Sequence, residues 1–471
     1  MREGPAVVVL GAGPAGLGCA WSLARRGIPV EVLEVQDRVG GLAGSFRDGP
    51  FTLDFGPHKF FTRIPGVLEE VRALMGEDLL EVPKRSGIWL RGRRFDYPFR
   101  MGQLLFRLGP VFGLTALAST MAQRLGSGGR AGHERTYEDY LVRRFGRVLY
   151  RMSFEPMAWK VWGDPKTLSA EVARVRVVFP SLWNLLWRML HPGEGGKTHS
   201  ARTFFYPRGG FGSIWEAVAR EVRRCGGVIH LGVRPERIRL EGGSVRSVAY
   251  RSPEGVREIP CAAIVSSIPL SAFLSLLDPG PGPDLLEDVS RLRYRGAILC
   301  YLFLDRPSVL DDAWIFFPER EIPFNRIMEQ KRFSPHTCPP DGTVLCADIA
   351  AAEGDDVWRL PDDAIARRVR DALERMKILD GGGIRRHRVI RIQRVYPVLD
   401  VDAPGRLARA WAYLDGVRGA VSVGRHGYFQ HNNSDNALDM GFQAADHVLR
   451  DLPHAAWRAL HDRFDRYQIV D

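Results

Sequence analysis

The sequence predicts an α/β fold in which a βαβ domain is interrupted by an α+β domain. An apolar β-run, Val7 to Leu10, meets a Gly-x-Gly-x-x-Gly turn and then a helical stretch, Leu17 to Arg26. A second β-run, Val30 to Glu34, ends in an acid. Period-two patterning returns at residues 227–233, 238–250 and 262–267, and a short run at 420–425 follows near the end of the chain. Separated segments are therefore expected to rebuild the first domain.

The glycine turn predicts a binding site for a pyrophosphate. Gly11 permits the tight turn, Gly13 lets a ligand approach the backbone, and Gly16 lets helix and strand pack closely. The helix that follows offers free N–H groups and a positive dipole end to phosphate groups. Glu34 stands where a carboxylate accepts the ribose hydroxyl groups of an adenosine.

A second glycine pair distinguishes among the dinucleotides. Arg38, Gly40, Gly41 and Leu42 follow the acid-terminated strand, and this turn resembles that of the glutathione-reductase-type flavoproteins. The resemblance implies a Rossmann domain that binds FAD, with Arg38, Gly41 and Leu42 beside the cofactor. No second Gly-x-Gly-x-x-Gly follows a β-run. The sequence therefore predicts one built-in dinucleotide, FAD, and no separate NAD(P)H domain.

The 471 residues predict two or three domains rather than one core. We expect the FAD-binding domain to comprise residues 1–85, 205–278 and 395–471. We expect the substrate domain to comprise a mostly helical segment, 86–204, and a second segment, 279–394. The final helix is expected near residues 437–452.

Composition and charge limit the possible partners. Apolar content of 45% and charged content of 26% are ordinary for a globular protein. The net charge of +11 comes from scattered arginines, which form either a solvated surface or a field that attracts an anionic substrate. No basic stretch carries interleaved aromatic residues, so nucleic acid is not an expected partner. The oligomeric state cannot be predicted.

Cysteine usage and hydropathy predict a cytoplasmic protein. The six cysteines form no Cys-x-x-Cys pair and are expected to be free thiols in a reducing compartment. No metal site is expected. No signal-peptide pattern precedes the first β-run, and no stretch of about 18 apolar residues could span a membrane.

Further stretches resemble, in order along the chain, the UDP-galactopyranose mutases within the wider amine oxidase-like and protoporphyrinogen oxidase-like superfamily. They are Gly56-Pro-His-Lys-Phe-Phe-Thr62, Tyr97-Pro-Phe-Arg-Met101, Leu149-Tyr150 through Lys160-Val-Trp-Gly163, Tyr206-Pro-Arg-Gly-Gly-Phe211, Arg320-Glu-Ile-Pro-Phe-Asn-Arg326 through Phe333, Tyr396-Pro397, and Gly424-Arg425-His-Gly427 through Asp435.

This resemblance implies an enzyme that acts on a nucleotide-diphosphate sugar. In that family, reduced flavin N5 attacks the anomeric carbon, and the sugar ring interconverts between pyranose and furanose without net oxidation. The alternative is an FAD-dependent oxidoreductase of the amine oxidase or protoporphyrinogen oxidase type, since these neighbours share the FAD motif and several of the stretches.

The same resemblance assigns site residues. Arg326 matches a phosphate-binding arginine, and Arg174 or Arg176 is the candidate for a second, because a guanidinium group binds phosphate oxygens in a fork. His58 matches a histidine against the flavin. The remaining assignments are Trp162 and Tyr396 in the sugar pocket, His431 at the substrate phosphate, and Val233, Gly424, Arg425 and Asp435 beside the cofactor.

Two departures from the mutase pattern concern the substrate. His431 replaces a tyrosine that contacts the diphosphate, and Gln330 replaces a histidine. A histidine in contact with an anion is expected to make binding depend on its protonation. These departures predict that the phosphate end of the substrate is recognised differently here.

Overall fold

The structure, a computed structural model, describes residues 6–97, 115, 118–123, 134–176, 203–380, 382–467 and 469. Helices and strands are numbered in chain order over these residues. The helices are α1 (Pro14–Ala24), α2 (Val67–Met75), α3 (Tyr137–Leu149), α4 (Glu155–Val161), α5 (Ala170–Arg176), α6 (Ser213–Arg224), α7 (Leu270–Leu276), α8 (Pro283–Ser290), α9 (Asp356–Arg359), α10 (Asp362–Arg375), α11 (Ala403–Leu414), α12 (Gly424–Gly427), α13 (Ser434–Leu449) and α14 (His454–Phe464).

The first large sheet combines strands from the beginning, middle and end of the chain. Its order is β13-β10-β11-β12-β1-β2-β9, with β19 also paired to β12. Strands β9, β2, β1, β12 and β19 pair in parallel, while β10, β11 and β12 form an antiparallel meander. The bounds are β1 (Ala6–Leu10), β2 (Val30–Glu34), β9 (Val228–Leu231), β10 (Arg234–Glu241), β11 (Ser244–Ser252), β12 (Gly255–Ser266), β13 (Leu277–Asp278) and β19 (Ala420–Ser422).

The second large sheet has the order β18-β14-β17-β16-β15-β6-β7. Its pairs are antiparallel except for β15 with β6. The bounds are β6 (Ser86–Leu90), β7 (Arg93–Asp96), β14 (Tyr294–Leu304), β15 (Trp314–Phe316), β16 (Arg326–Glu329), β17 (Thr343–Ala351) and β18 (Ile384–Pro397). Two small hairpin-like sheets pair β3 (Ser45–Asp48) with β4 (Phe51–Asp54) and β5 (Leu79–Pro83) with β8 (Thr203–Pro207).

Strand β14 is buried on both faces. Alternate residues such as Ile298 and Leu302 pack with α10 in one hydrophobic core, while Leu299 and Phe303 belong to the larger core of the chain. A strand covered on both sides is apolar throughout rather than alternating, which explains the continuous run from residue 297 to 304. The second sheet is thus fixed between a helix and the rest of the protein.

Helices α1 and α13 pack against each other through small residues. A Cβ atom on Gly441 would lie 2.2 Å from the Ala15 carbonyl oxygen, and one on Gly18 would lie 2.7 Å from the Leu438 side chain. Only glycine permits this approach. Asn433 and Asn436 form a reciprocal capping box at the start of α13, which satisfies N–H groups that the helix leaves unpaired. Helix α13 therefore packs closely against helix α1 of the first βαβ unit.

The predicted α/β class is confirmed, whereas several boundaries change. The prediction that the helix near residues 437–452 is the final one is wrong, because α14 follows α13. Strand β18 runs to Pro397, beyond the predicted segment boundary at 394. The predicted segment 86–204 begins with two strands, β6 and β7, and much of its predicted helical part lies outside the described residues. The five-segment domain division stays a prediction. None of the described helices is long and apolar enough to cross a bilayer.

Acid sensitivity is expected from His461, which α14 places in an aromatic cluster. Its ring lies 5.3 Å from the Trp411 ring and 4.8 Å from the Tyr428 ring. Burial, assisted by the charge of Arg458, lowers the pKa of His461 to about 4. A lowered histidine pKa contributes stability that is present above the unfolded pKa near 6.5 and is lost as the pH falls towards 4.

We therefore expect His461→Phe to weaken the acid dependence of the free energy of unfolding. The variant lacks the group that binds a proton more readily in the unfolded state than in the folded state. The slope of the free energy of unfolding against pH should therefore fall by up to about 1.4 kcal/mol per pH unit between pH 6.5 and 4. Urea unfolding followed by tryptophan fluorescence at several pH values measures this slope. His336→Phe, at an exposed histidine, serves as the control. Equal slopes in the wild type and His461→Phe would refute the expectation.

Candidate active site

The three motif glycines of the first turn have different structural demands. Gly11 has φ +95°, and a Cβ there would lie 2.5 Å from Ser267 Oγ. A Cβ on Gly16 would lie 1.9 Å from the Gly11 carbonyl oxygen. In contrast, a Cβ on Gly13 would meet no protein atom within 4 Å. The fold itself requires Gly11 and Gly16, whereas Gly13 leaves open space beside the helix N-terminus.

The second glycine turn borders this space. Gly41 has φ +52°, and a Cβ there would lie 3.4 Å from Gly13 Cα. Leu42 belongs to the same short 3-10 turn, Gly41–Ala43. Arg38 lies over the Phe55 ring at 4.7 Å, with Asp37 3.3 Å from its guanidinium group. The turn that contains Gly13 and the turn that contains Gly41 therefore face one another across an open space, which we call the cradle. A larger side chain at either glycine would narrow this space.

Glu34 lies at the edge of the same cradle. It is 6% exposed, and its Oε2 accepts a hydrogen bond of 2.7 Å from the Ala12 N–H. Its Oε1 accepts one of 2.8 Å from the Gln36 N–H, and the Val233 N–H donates to its carbonyl oxygen at 2.9 Å. An acid held at the end of β2, next to an open glycine turn, fits the adenosine end of a dinucleotide.

The third segment closes the cradle from the C-terminal side. Gly424 has φ +76°, and a Cβ there would lie 2.8 Å from the Ala15 Cβ. The Arg425 guanidinium group donates to two backbone carbonyl oxygens, of Asn432 at 2.6 Å and of Val395 at 3.3 Å. This arginine therefore ties the end of β18 to the loop that precedes α13.

Asp435 connects α13 to the loop that carries His58. The carboxylate is buried in the first turn of the helix and hydrogen-bonded to the Thr62 side chain, while burial raises its pKa to about 6. An acid at a helix N-terminus interacts favourably with the helix dipole. The loop of residues 56–62 is thus fixed against the closing helix.

His58 is held with its ring stacked on Phe211, the ring centroids 5.1 Å apart and the planes inclined by 17°. Its Nδ1 lies 3.1 Å from the Gly56 carbonyl oxygen, which assigns the proton to Nδ1. Burial, then the positive charges of Arg425 and Arg326, lower the pKa of His58 to about 3. The ring is neutral at physiological pH and lies within the field of two guanidinium groups.

Arg326 and Asp348 form an ion pair across neighbouring strands. They are register partners on β16 and β17, and Arg326 Nη2 lies 2.7 Å from Asp348 Oδ2. The Tyr396 hydroxyl, on β18, lies 3.5 Å from the same oxygen. Asp348 is 2% exposed. The predicted phosphate-binding arginine therefore has a buried carboxylate partner that the sequence analysis did not identify.

Trp162 and His431 complete the cluster. Trp162 Nε1–H donates to His431 Nε2 at 3.1 Å, and the His431 ring lies 6.2 Å from that of Tyr396. An indole nitrogen only donates, so His431 Nε2 carries no proton in this arrangement and the ring is neutral. Protonation of His431 at Nε2 would break this bond, and the expectation that its titration controls anion binding stays a prediction.

Arg174, one of the two other predicted arginines, contacts residues outside this cluster. Arg174 lies on α5, pairs with Glu171, and covers the Tyr140 ring at 5.7 Å. Its side chain is 42% exposed. The side chain of Arg176 lies outside the described residues, as does the Pro98–Met101 part of one motif stretch. A substrate contact by either arginine stays a prediction.

The sequence analysis also did not identify a buried hydrogen-bond network around Asp54, which includes the N–H of Phe211, the residue stacked on His58. Asp54 accepts hydrogen bonds from Ser45 Oγ at 2.6 Å, the Tyr206 hydroxyl at 2.5 Å and the Phe211 N–H at 3.1 Å. Burial raises the pKa of Asp54 to about 6. Gln330, the residue that departs from the mutase pattern, donates to the Tyr206 hydroxyl at 2.7 Å. Its role here is to hold the residues that position Phe211 and, through it, His58.

Comparison with known proteins supports the nucleotide site. A family model described as flavin containing amine oxidoreductase matches residues 14–381. A zeta-carotene-forming phytoene desaturase of Myxococcus xanthus is 29% identical over 355 residues, 69% of this chain and 66% of that protein. A protein of Klebsiella pneumoniae named as a UDP-galactopyranose mutase is 24% identical over 174 residues, 36% of this chain and 44% of that protein. The matched region thus spans less than two thirds of either relative.

The fold is shared with solved flavoproteins. The crystal structure of reduced UDP-galactopyranose mutase superposes with a TM-score of 0.81 at 22% identity, covering 95% of this chain and 94% of the other.

No group of three or more His, Cys, Asp or Glu side chains in the described part of the chain could hold a metal ion.

These findings decide the cofactor and the class of protein. The cradle between Gly13 and Gly41, with Glu34 at its edge, fits FAD, and FAD is the cofactor of the matched family. The predicted FAD-dependent enzyme class is confirmed. The chain belongs to the flavin-containing amine oxidoreductase family.

Proposed function

We propose that this flavoenzyme is a UDP-galactopyranose mutase-like isomerase that acts redox-neutrally on a nucleotide-diphosphate sugar. The ordered motif stretches and the similarity of fold over 95% of the chain support this proposal. When bound in its reduced form, FAD supplies a nucleophilic nitrogen, N5. The other requirements, which are to bind an anion, orient a sugar and exclude water, fall on the side chains around His58.

The observation that carries the proposal is the pair of guanidinium groups whose charges reach His58. Arg425 and Arg326 both lower its pKa, so both act on the same small region. Arg326 pairs with Asp348, and Arg425 donates to the backbone carbonyl oxygen of Asn432. Guanidinium groups bind phosphate oxygens in a fork and stay charged, which suits a diphosphate that must stay bound after its bond to the sugar breaks.

The rest of the cluster suits a hydroxylated substrate. Trp162 and Tyr396 present aromatic faces with polar tips, and His431 and Asp348 contribute buried hydrogen-bonding atoms. Aromatic faces pack against the apolar side of a sugar ring, while the polar atoms fix its orientation. The net charge of +11 adds a field that favours the approach of an anion.

The second candidate is an FAD-dependent oxidoreductase. The description of the family and a sequence match over 355 residues to a phytoene desaturase favour it. A substrate without polar groups would form no hydrogen bond with the two guanidinium groups whose charges act on His58, whereas a diphosphate would. This pair of arginines therefore favours the first candidate.

The two candidates differ in their requirement for reduced flavin. The purified yellow protein is incubated with UDP-galactose without oxygen, with and without dithionite, and the nucleotide sugars are separated by chromatography. The mutase-like function predicts a ring isomer only after reduction. Bleaching of the flavin by a substrate without dithionite would instead support the oxidoreductase, and no isomer in either condition would reject UDP-galactose as the substrate.

A further inference from the structure

Lys160 is a half-buried cation to which the proposed function assigns no task. Its Nζ donates hydrogen bonds to two backbone carbonyl oxygens, of Phe317 at 2.6 Å and of Phe324 at 2.8 Å. Burial lowers the pKa of Lys160 to about 7, although the charges of Glu319 and Glu321 oppose this shift. A cation that leaves water requires compensating partners, so the two carbonyl oxygens determine where the amine lies.

The two carbonyl oxygens belong to the two ends of one loop. Residues 317–325 connect β15 to β16, and we call them the β15–β16 loop. Phe317 and Phe324 are both fully buried, with their rings 4.9 Å apart. Arg326, the first residue of β16, follows two residues after Phe324. Lys160 therefore holds both ends of a loop that leads directly into the ion pair of the site.

Helix α4 contacts this loop through two successive residues. Beside Lys160, the Trp159 ring is covered by the Arg320 guanidinium group, which lies 4.8 Å from the ring centroid. The helix also packs against β17, the strand that carries Asp348. The last turn of α4 is thus docked on the second sheet next to the loop.

The same turn of α4 leads into Trp162. The Trp162 N–H donates to the Ala158 carbonyl oxygen at 2.8 Å, so the backbone of Trp162 continues the hydrogen bonding of the helix. The Trp162 indole in turn donates to His431 at 3.1 Å. A displacement of this turn relative to the loop would therefore move the indole away from His431.

We propose that Lys160 is a positioning residue that docks the last turn of α4 on the β15–β16 loop and so holds Trp162 against His431. This inference rests on the proposed function for its effect on turnover, because Trp162 is a proposed part of the sugar pocket. The amine is engaged with the loop, so Lys160 acts through Trp162 and not by contact with the substrate.

Lys160→Met removes the hydrogen bonds while keeping a long, unbranched side chain, because methionine has no N–H donor. Lys331→Met is the matched control. Lys331 is also half-buried, and its Nζ donates to three carbonyl oxygens of a different loop, of Pro339 and Pro340 at 2.7 Å and of Gly342 at 3.0 Å. Lys160→Arg keeps N–H donors at the original position and tests for rescue.

Fluorine NMR of the FAD-loaded protein labelled with fluorotryptophan measures the position of Trp162 without a substrate. Trp162 is one of eleven tryptophans, and its resonance is assigned by its absence from Trp162→Phe. We expect Lys160→Met to shift or broaden this resonance, whereas Lys331→Met and Lys160→Arg should leave it as in the wild type. An unchanged resonance in Lys160→Met, an equal change in Lys331→Met, or a Lys160→Arg resonance unlike that of the wild type would overturn the inference.

Turnover of UDP-galactose by the dithionite-reduced protein measures the consequence for the reaction. Because misplacement of a group that orients the substrate slows the reaction, we expect kcat to fall at least about tenfold in Lys160→Met. The affinity for UDP should change less than about twofold, and Lys331→Met should match the wild type. Unchanged kcat in Lys160→Met would overturn the inference. If the wild type forms no isomer, the proposed function fails, and the fluorine resonances alone decide whether Lys160 positions Trp162.

Discussion

Gly13→Leu is expected to fold normally and to retain roughly a tenth or less of the wild-type FAD. A Cβ at Gly13 meets no protein atom within 4 Å, so the added side chain enters the open cradle rather than the protein core. There it occupies the space through which a pyrophosphate approaches the backbone. The measurement is the ratio of acid-released FAD to protein, with circular dichroism to verify the fold.

Two further glycine variants separate the requirements of the fold from those of the cofactor. Gly405→Leu adds the same side chain at an exposed position where a Cβ also meets nothing within 4 Å, and it should keep its FAD. Gly16→Ala should fail to fold, because its Cβ would overlap the Gly11 carbonyl oxygen at 1.9 Å. Normal FAD content in Gly13→Leu would contradict the assignment of the cradle.

Local patterns predict the nucleotide-binding part of the fold well. The Gly11–Gly16 turn and the acid at Glu34 lie within one βαβ unit, where the order of strand, turn, helix and strand restricts the geometry. Gly424 lies against Ala15 because β19, which precedes Gly424, joins the same sheet beside β12. These features depend on short-range periodicity and glycine chemistry, which a single sequence displays.

Contacts that depend on strand register were not predictable in this way. Asp348 stands alone in an otherwise apolar stretch of β17, and only the pairing of β16 with β17 places it opposite Arg326. His431 meets Trp162 across 269 residues of chain. The resemblance suggested both residues for the site, but only the folded arrangement shows that the tryptophan donates to the histidine and so determines where its proton lies.

The second large effect is expected from Arg326→Ala, through stability rather than binding alone. Asp348 is 2% exposed, so removal of its partner leaves a buried carboxylate without charge compensation. Breaking a buried ion pair from one side costs about 3–5 kcal/mol. A loss of nucleotide binding in this variant alone would therefore not identify Arg326 as a phosphate contact.

The double variant Arg326→Ala/Asp348→Asn distinguishes the two effects. Neutralising Asp348 removes the uncompensated charge, so the double variant should recover most of the free energy of unfolding lost in Arg326→Ala, a coupling that a double-mutant cycle measures. Arg295→Ala is the matched control: Arg295 has the same 18% exposure, but its partner Asp355 is 39% exposed, and the expected loss is within about 1 kcal/mol. If the double variant is as unstable as Arg326→Ala, the ion pair is not the reason for the loss. If stability is recovered while UDP binding remains weak, Arg326 binds the anion in addition to neutralising Asp348.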